Sequence, residues 1–211
     1  MDDIRRELEE WFVGKTFMGP HGLHAYGKYV KLFLPTMILV FKHTRHFGTI
    51  LQAGGHIGVV TLAMASRFQR VETFECADDN FAWLTENIAP HPHINATYGA
   101  LGDGEPVQVI RHKYSAEHHA RGPGDVPCFR IDDLGLNSLD TMVLDLEGGE
   151  LVALQHATET LQRFRPVLVI EEFQRWMRRY GRQPGDVANF LEPFGYRVVD
   201  EHEPDLVFVV D

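Results

Sequence analysis

Residues 48–75, GTILQAGGHIGVVTLAMASRFQRVETFE, hold a strand, a glycine-rich turn, a helix and a second strand that ends in a carboxylate. Few folds accommodate that succession. Ile50 and Leu51 lead into Ala53-Gly54-Gly55-His56-Ile57-Gly58, after which Val59, Val60, Leu62, Ala63 and Ala65 continue as a helix of small apolar residues able to pack closely on a sheet. Glycines suit a tight strand-to-helix turn because they adopt positive φ and let a ligand approach the backbone. The N–H groups at a helix start would face that ligand. About twenty residues on, the strand at residues 71–75 ends in Glu75, where a carboxylate can accept both hydroxyls of a ribose. The expected guest is a nucleoside-containing cofactor.

The turn alone does not say which one, because Ala53-x-Gly55-x-x-Gly58 is one glycine short of the dinucleotide fingerprint. An α/β turn whose crevice binds nothing stays open at this point. The chain has 211 residues, enough for one core or one core with an N-terminal extension, and a division at residue 47/48 is expected. The extension, residues 1–47, reads as helix, loop and strand packed on the catalytic part. With 44% apolar residues, no span-length apolar run and an acidic, polar start, the chain reads as soluble and cytoplasmic, with no membrane partner. A formal charge of −10 argues against a nucleic-acid partner. Cys76 and Cys128 read as free thiols, and no metal-ligand spacing such as H-E-x-x-H occurs, so no metal is expected.

In order, Asp2–Phe12 reads as an amphipathic helix through Ile4, Leu8, Trp11 and Phe12. The loop His21-Gly22-Leu23-His24-Ala25-Tyr26 reads as surface decoration or a closing flap, and the apolar run at residues 37–41 as a strand. Later elements are a helix over Asp78–Ile88, strands at 95–101 and 107–112, a mobile polar loop at 113–127, and a strand at 141–146. A helix at 151–164, a strand at 166–170, a helix at 186–194 and a hairpin of strands 196–199 and 206–210 complete the chain. This succession predicts an α/β fold with an open, doubly wound, Rossmann-like sheet, mostly parallel, closed by an antiparallel hairpin. Four strand ends carry chemistry: Gln52 to Gly55, Glu75, Gly99 to Leu101, and Asp145-Leu146-Glu147-Gly148-Gly149-Glu150.

The last of these, with Leu154 and Ala157, resembles the D-x-E-G-x-E…L-x-x-A signature of FkbM-type S-adenosylmethionine-dependent methyltransferases. Ile131-Asp132-Asp133-Leu134 is similar to the family's LDDL, Phe74-Glu75-Cys76 to its FEP, Asn87 to the asparagine closing the next helix, and residues 52–58 to its DVGANIG. The resemblance covers residues 48–172. It implies that Gly54, Gly55 and Gly58 shape the turn beside the methionine part of the cofactor, that Glu75 holds its ribose, and that Ala100 and Leu101 flank the adenine. Asp145 would lie near the cofactor's amino group or the acceptor, with Glu147 and Glu150 on the same rim or capping the next helix. Gln52 and His56 stand where the family has an acid and an asparagine, and Cys76 replaces a proline. A charge that could meet the cofactor's ammonium group is thereby missing, so Gln52→Asp is expected to tighten binding.

The resemblance implies the class I methyltransferase form of the fold and methylation of a small-molecule or glycan hydroxyl, with a homo-oligomer also compatible. Removal of the hydroxyl proton needs a base, for which Asp145, Glu171 and the loop histidines, chiefly His118 and His119, are the candidates. Two other classes share the first turn: an NAD-dependent oxidoreductase, which gives no reason for residues 145–150, and a non-catalytic module keeping a degenerate methyltransferase fold.

Overall fold

The computed structural model describes the backbone of residues 2–19, 22–25 and 27–210, and side chains outside residues 2 and 22–31 of that set. His21 and Tyr26 of the predicted flap lie outside the described residues. In chain order the elements are α1 (Asp2–Phe12), β1 (Thr16–Gly19), β2 (Gly22–Ala25), α2 (Gly27–His43), β3 (Thr49–Ala53), α3 (Val59–Ala65), β4 (Arg70–Glu75), α4 (Asp78–Ile88) and β5 (Ile94–Tyr98). There follow β6 (Ala100–Leu101), β7 (Val107–Ile110), β8 (His119–Pro123), β9 (Cys128–Phe129), β10 (Thr141–Leu144), α5 (Glu150–Gln155) and α6 (Thr158–Phe164). The chain closes with β11 (Val167–Glu171), α7 (Gln174–Met177), α8 (Asp186–Leu191), β12 (Tyr196–His202) and β13 (Asp205–Val210).

Seven strands form the central sheet in the order β12-β13-β11-β10-β3-β4-β5, parallel from β11 to β5 and antiparallel at β13 and β12. Strands buried on both faces read as continuous apolar runs. The alternation within them sorts two cores: Ile50, Val71, Val143 and Val169 pack under α1 to α4, and Leu51, Phe74, Met142, Leu144 and Ile170 pack under α5, α6 and α8. The doubly wound prediction therefore holds.

The predicted strand at residues 37–41 is instead the second half of α2. A short apolar run cannot be told from a buried helix by periodicity, and here Met37, Ile38, Leu39, Val40 and Phe41 are all buried because α2 has α1 and α3 beside it and the sheet beneath. With Leu8, Phe12 and Phe17 they join the same core as Ile50 and Val71. Each such side chain contributes roughly 1.5–3 kcal/mol of burial. Polar ties add to this: Asn87 donates to the Met18 carbonyl (3.0 Å) and accepts from the Met18 N–H (2.8 Å), and Lys42 and His43 meet Asp200 at 2.6 and 2.7 Å.

Three smaller differences have local causes. The strand predicted at 95–101 breaks at Gly99, where a Cβ would come within 2.6 Å of Phe129, and its continuation β6 pairs with β9 outside the main sheet. The segment predicted as a mobile loop contains a 3-10 turn, Ser115–Glu117, and then β8, which pairs antiparallel with β7. The helix predicted at 151–164 is divided between α5 and α6, where the Asp132 carboxylate accepts the N–H groups of Glu159 and Thr160 at 3.2 and 2.8 Å. Asp132 thus holds the start of α6 from a distant segment.

Candidate functional site

Sheet register brings the marked strand ends together. Leu144 pairs with both Ala53 and Ile170, and Ala53 pairs with Phe74, so the residues that follow, Asp145, Gly54, Glu171 and Glu75, stand at one level at this end of the sheet. From β3 the chain winds outward to β4 and β5, then returns to build β10 and β11 on the other side. The reversal leaves a crevice between β3 and β10, the usual ligand position in such sheets. Gly54 has φ +86°, and a Cβ there would stand 2.1 Å from the Asp145 carbonyl oxygen. A side chain at this position would force the two strand ends apart.

Beside the row lies a cavity of about 260 Å³ lined by Gly54, Glu75, Cys76, Ala100, Leu101 and Asp145. Phe74 and Val152 add apolar surface, and residues 118–122 border it from the β7–β8 hairpin. Glu75 is buried, its Oε2 accepting the His56 N–H at 2.7 Å and its Oε1 the Ala77 N–H at 2.8 Å. Each oxygen retains a further lone pair. Burial pushes the carboxyl up to about 7 despite those two bonds, which pull it down.

Across the crevice the acids behave differently. Glu150 is buried with Oε1 accepting the N–H groups of Leu146 (2.7 Å) and Gly148 (3.1 Å), so it braces the turn that leads into α5 and does not cap the helix. Glu147 is turned inward with φ +56° and 8% exposure, and its Oε2 lies 3.4 Å from Arg179 Nη1. Burial, then the neighbouring Asp145, push it up to about 8. A carboxylate oxygen of Asp145 and one of Glu171 lie within 4.8 Å of each other, and burial raises both carboxyls well above the usual range.

A model of the FkbM methyltransferase domain matches residues 52–198 of this sequence. The chain belongs to that family. Among solved structures it is similar to methyltransferase FkbM from Methylobacillus flagellatus KT (18% identity, TM-score 0.57), covering 78% of this chain and 44% of that one. It spans less than half of that protein's length. A SAM-dependent methyltransferase from Aquifex aeolicus (13%, TM-score 0.54, 98% of both chains) and the N-methyltransferase NodS from Bradyrhizobium japonicum WM9 (11%, TM-score 0.53, 87% and 96%) share the fold. No curated protein sequence matches. The likenesses establish the Rossmann-like, class I methyltransferase architecture of this FkbM domain.

Several family-motif residues serve the turn and not the cavity. Gln52, expected to meet the cofactor, donates from Nε2 to the Gly54 carbonyl (2.9 Å) and accepts at Oε1 from the hydroxyls of Thr61 and Thr73 (2.7 Å each). Both ends of its amide are engaged beneath the turn. A Cβ at Gly55 would meet Leu84 and Thr73 at 2.9 Å and one at Gly58 would meet Leu84 at 3.0 Å, so α4 and β4 require these glycines. The turn's N–H groups are also engaged: Gly54 and Gly55 donate to the Phe74 carbonyl, and Gly58 to that of Gly55. His56 reaches Ser115 Oγ through Nε2 at 2.9 Å, and burial, then His118, push it down to about 4. The side chain in the family's asparagine position thus ties the turn to the β7–β8 connection.

His119 borders the cavity, is 5% exposed and is pushed down to about 4 by burial and then by Arg179. Its Nδ1 lies 3.3 Å from Arg179 Nη1, which can only donate, so the ring proton sits on Nε2. His119 is therefore a donor, which disfavours the base role. Burial raises the Cys76 thiol above its ordinary value, keeping it neutral in the wall. Sequence reasoning missed the segment after Glu171: Arg179 stacks on Trp176 at 3.9 Å, and Tyr180, on the cavity wall, donates to the Ala120 carbonyl. The crowding of Phe173, Trp176, Arg178, Arg179 and Tyr180 directly after a strand-end acid was the available signal. Among the described residues no helix is long and apolar enough to cross a membrane.

Proposed function

We propose that this FkbM domain transfers a methyl group from S-adenosylmethionine to a hydroxyl of a small molecule or glycan. The observation that carries the reading is the single cavity joining Glu75, with its lone pairs still available, to Asp145 through Gly54. The residues fit the cofactor: Glu75 would accept the ribose hydroxyls, Ala100, Leu101 and Val152 offer apolar surface to an adenine, and Gly54 keeps the backbone beside it bare. When bound, the cofactor supplies an electrophilic methyl on a sulfonium. The chain's part is to align an acceptor in line with that methyl and to take up the hydroxyl proton.

Asp145 and Glu171 are the groups suited to that proton, since burial raises the proton affinity of both carboxyls above the ordinary range. His119 and Tyr180 line the cavity beside them, with Arg179 behind His119 and the Tyr180 hydroxyl donating to the Ala120 carbonyl. Calorimetry with S-adenosylmethionine, its demethylated product and NAD tests the cofactor. Micromolar to sub-millimolar binding of the first two, about −8 kcal/mol at a Kd of 1 μM, is the expected result. Heat with NAD alone would overturn it, and binding without turnover on any hydroxyl acceptor would leave a binding module.

A further inference from the structure

We propose that Asp145, Glu147 and Glu171 form a binding site for one hard divalent cation, Mg²⁺ or Mn²⁺, at the acceptor end of the crevice. The three carboxylates come from the ends of two adjacent strands and the intervening turn, and one oxygen from each lies within 4.8 Å of the other two. Like charges at this spacing in a partly enclosed site oppose one another strongly.

The neighbouring acids have donors, and these three are short of them. Glu150 accepts two backbone N–H groups, and Glu172 accepts the Gly185 N–H at 3.2 Å through Oε2, while its Oε1, also without a partner, lies outside the cluster. Among the described residues the one ion pair made by the three is Glu147 with Arg179, at a long 3.4 Å. That guanidinium is held elsewhere, on the Trp176 ring and against His119 Nδ1. Independently, the Oε2 atom of Glu171 is enclosed and has no hydrogen-bond partner. A cation among the three supplies the counter-charge that these crowded carboxylates lack.

An all-carboxylate donor set suits a hard cation such as Mg²⁺ or Mn²⁺ and lacks the nitrogen and sulfur ligands typical of Zn²⁺ sites. Three protein oxygens leave positions for water or an acceptor oxygen in an octahedral shell. Asp145 also lines the cavity, so an ion on it is reachable from there. The sequence carried no sign of this, because the ligands stand at i, i+2 and a distant strand end and match no local metal motif.

The site's use in transfer rests on the proposed function, but ion binding does not. The test is Mn²⁺ titration of chelator-treated protein at pH 8, followed by the free-ion electron paramagnetic resonance signal, with S-adenosylmethionine calorimetry on the same sample. The expected result is one saturable Mn²⁺ per chain, weakened about tenfold or more by Glu171→Gln and by Glu147→Gln and unchanged by Glu172→Gln. Circular-dichroism melts confirm that each variant is folded, and Asp145→Asn replaces either that is not. Absence of saturable binding, or equal binding in the folded variants, overturns the proposal. Cofactor binding without Mn²⁺ binding defeats this proposal alone, and the reverse defeats the proposed function alone.

Discussion

Glu75 and Glu171 end parallel strands of one sheet at one level, yet their surroundings are opposite. Glu75 is held by two backbone N–H groups from the turn and from the start of α4, and its position is settled before any ligand arrives. Glu171 faces Asp145 and Glu147 and keeps an unpartnered oxygen. One half of the crevice is preorganised for holding. The other concentrates unbalanced charge, which is where proton transfer or a cation is useful.

The sharpest way to break this contrast is one charge-removing substitution on each side. Asp145→Asn keeps the backbone bond from its N–H to the Ala53 carbonyl and relieves carboxylate crowding. Transfer is expected to fall roughly a hundredfold, with a melting temperature at or above that of the parent. A variant with full turnover would remove Asp145 from the chemistry. Glu75→Gln, on the holding side, sets an amide NH₂ against one of two N–H donors. Cofactor affinity should fall by roughly 10- to 100-fold, the scale of a hydrogen bond to a charged group, when read by calorimetry.

The pH dependence of Glu75 sharpens the same point. Its folded value of about 7 lies above the ordinary carboxyl value of 4.5, so the folded state binds more protons between the two. The stability contribution is complete below pH 4.5 and is lost as pH rises through 7, on the order of 3 kcal/mol for a fully buried group. Cofactor affinity should move the other way, rising through pH 7 as the carboxylate ionises to accept hydroxyls. Melts and calorimetry between pH 5 and 8, with Glu75→Gln lacking both slopes, check it.

Gln52→Asp comes next in size and reverses the sequence-based expectation. The carboxylate would lose the bond from Nε2 to the Gly54 carbonyl and bury a charge near that oxygen. A loss of about 1–3 kcal/mol in stability is expected, with no gain in cofactor affinity. Tighter binding with an unchanged melt would show that position 52 reaches the cofactor after all.

The fold was legible where pattern and register act together. Apolar runs ending in Gly54, Glu75 and Asp145 marked the strands, and parallel pairing brought those ends into line. The missed α2 shows the limit: residues 37–41 are apolar whether a helix or a strand is being buried, and only packing decides. The site was half legible. Glu75, Ala100, Leu101 and Asp145 line the cavity as motif positions implied. Gln52, Gly55, His56 and Gly58 belong to the same motif but face the turn's own packing, because one glycine signature serves both a ligand and a helix pressed against a strand. The partners of Glu171 come from segments far apart in sequence, and no local spacing encodes them.

The smallest effect concerns the connection that composition alone marked as mobile. Ser115 receives two ties from the holding side: its hydroxyl meets His56 Nε2 at 2.9 Å, and its carbonyl accepts from Asn80 Nδ2 at 3.0 Å. His56 in turn donates its N–H to Glu75, so the hairpin bordering the cavity is fastened to the residue that steadies Glu75. Ser115→Ala removes the hydroxyl tie and leaves the carbonyl one. A local loss of about 0.5–1.5 kcal/mol follows, read as amide hydrogen exchange roughly 2- to 12-fold faster across residues 112–122, with β3 and β4 unchanged. His56→Asn, which shortens the side chain to the family's residue, should loosen the same segment. Unchanged exchange in both variants would show that the hairpin is held by β7–β8 pairing alone. Faster exchange throughout the sheet would make the tie part of global stability, and the contrast between a held crevice and a fastened border would then lose its meaning.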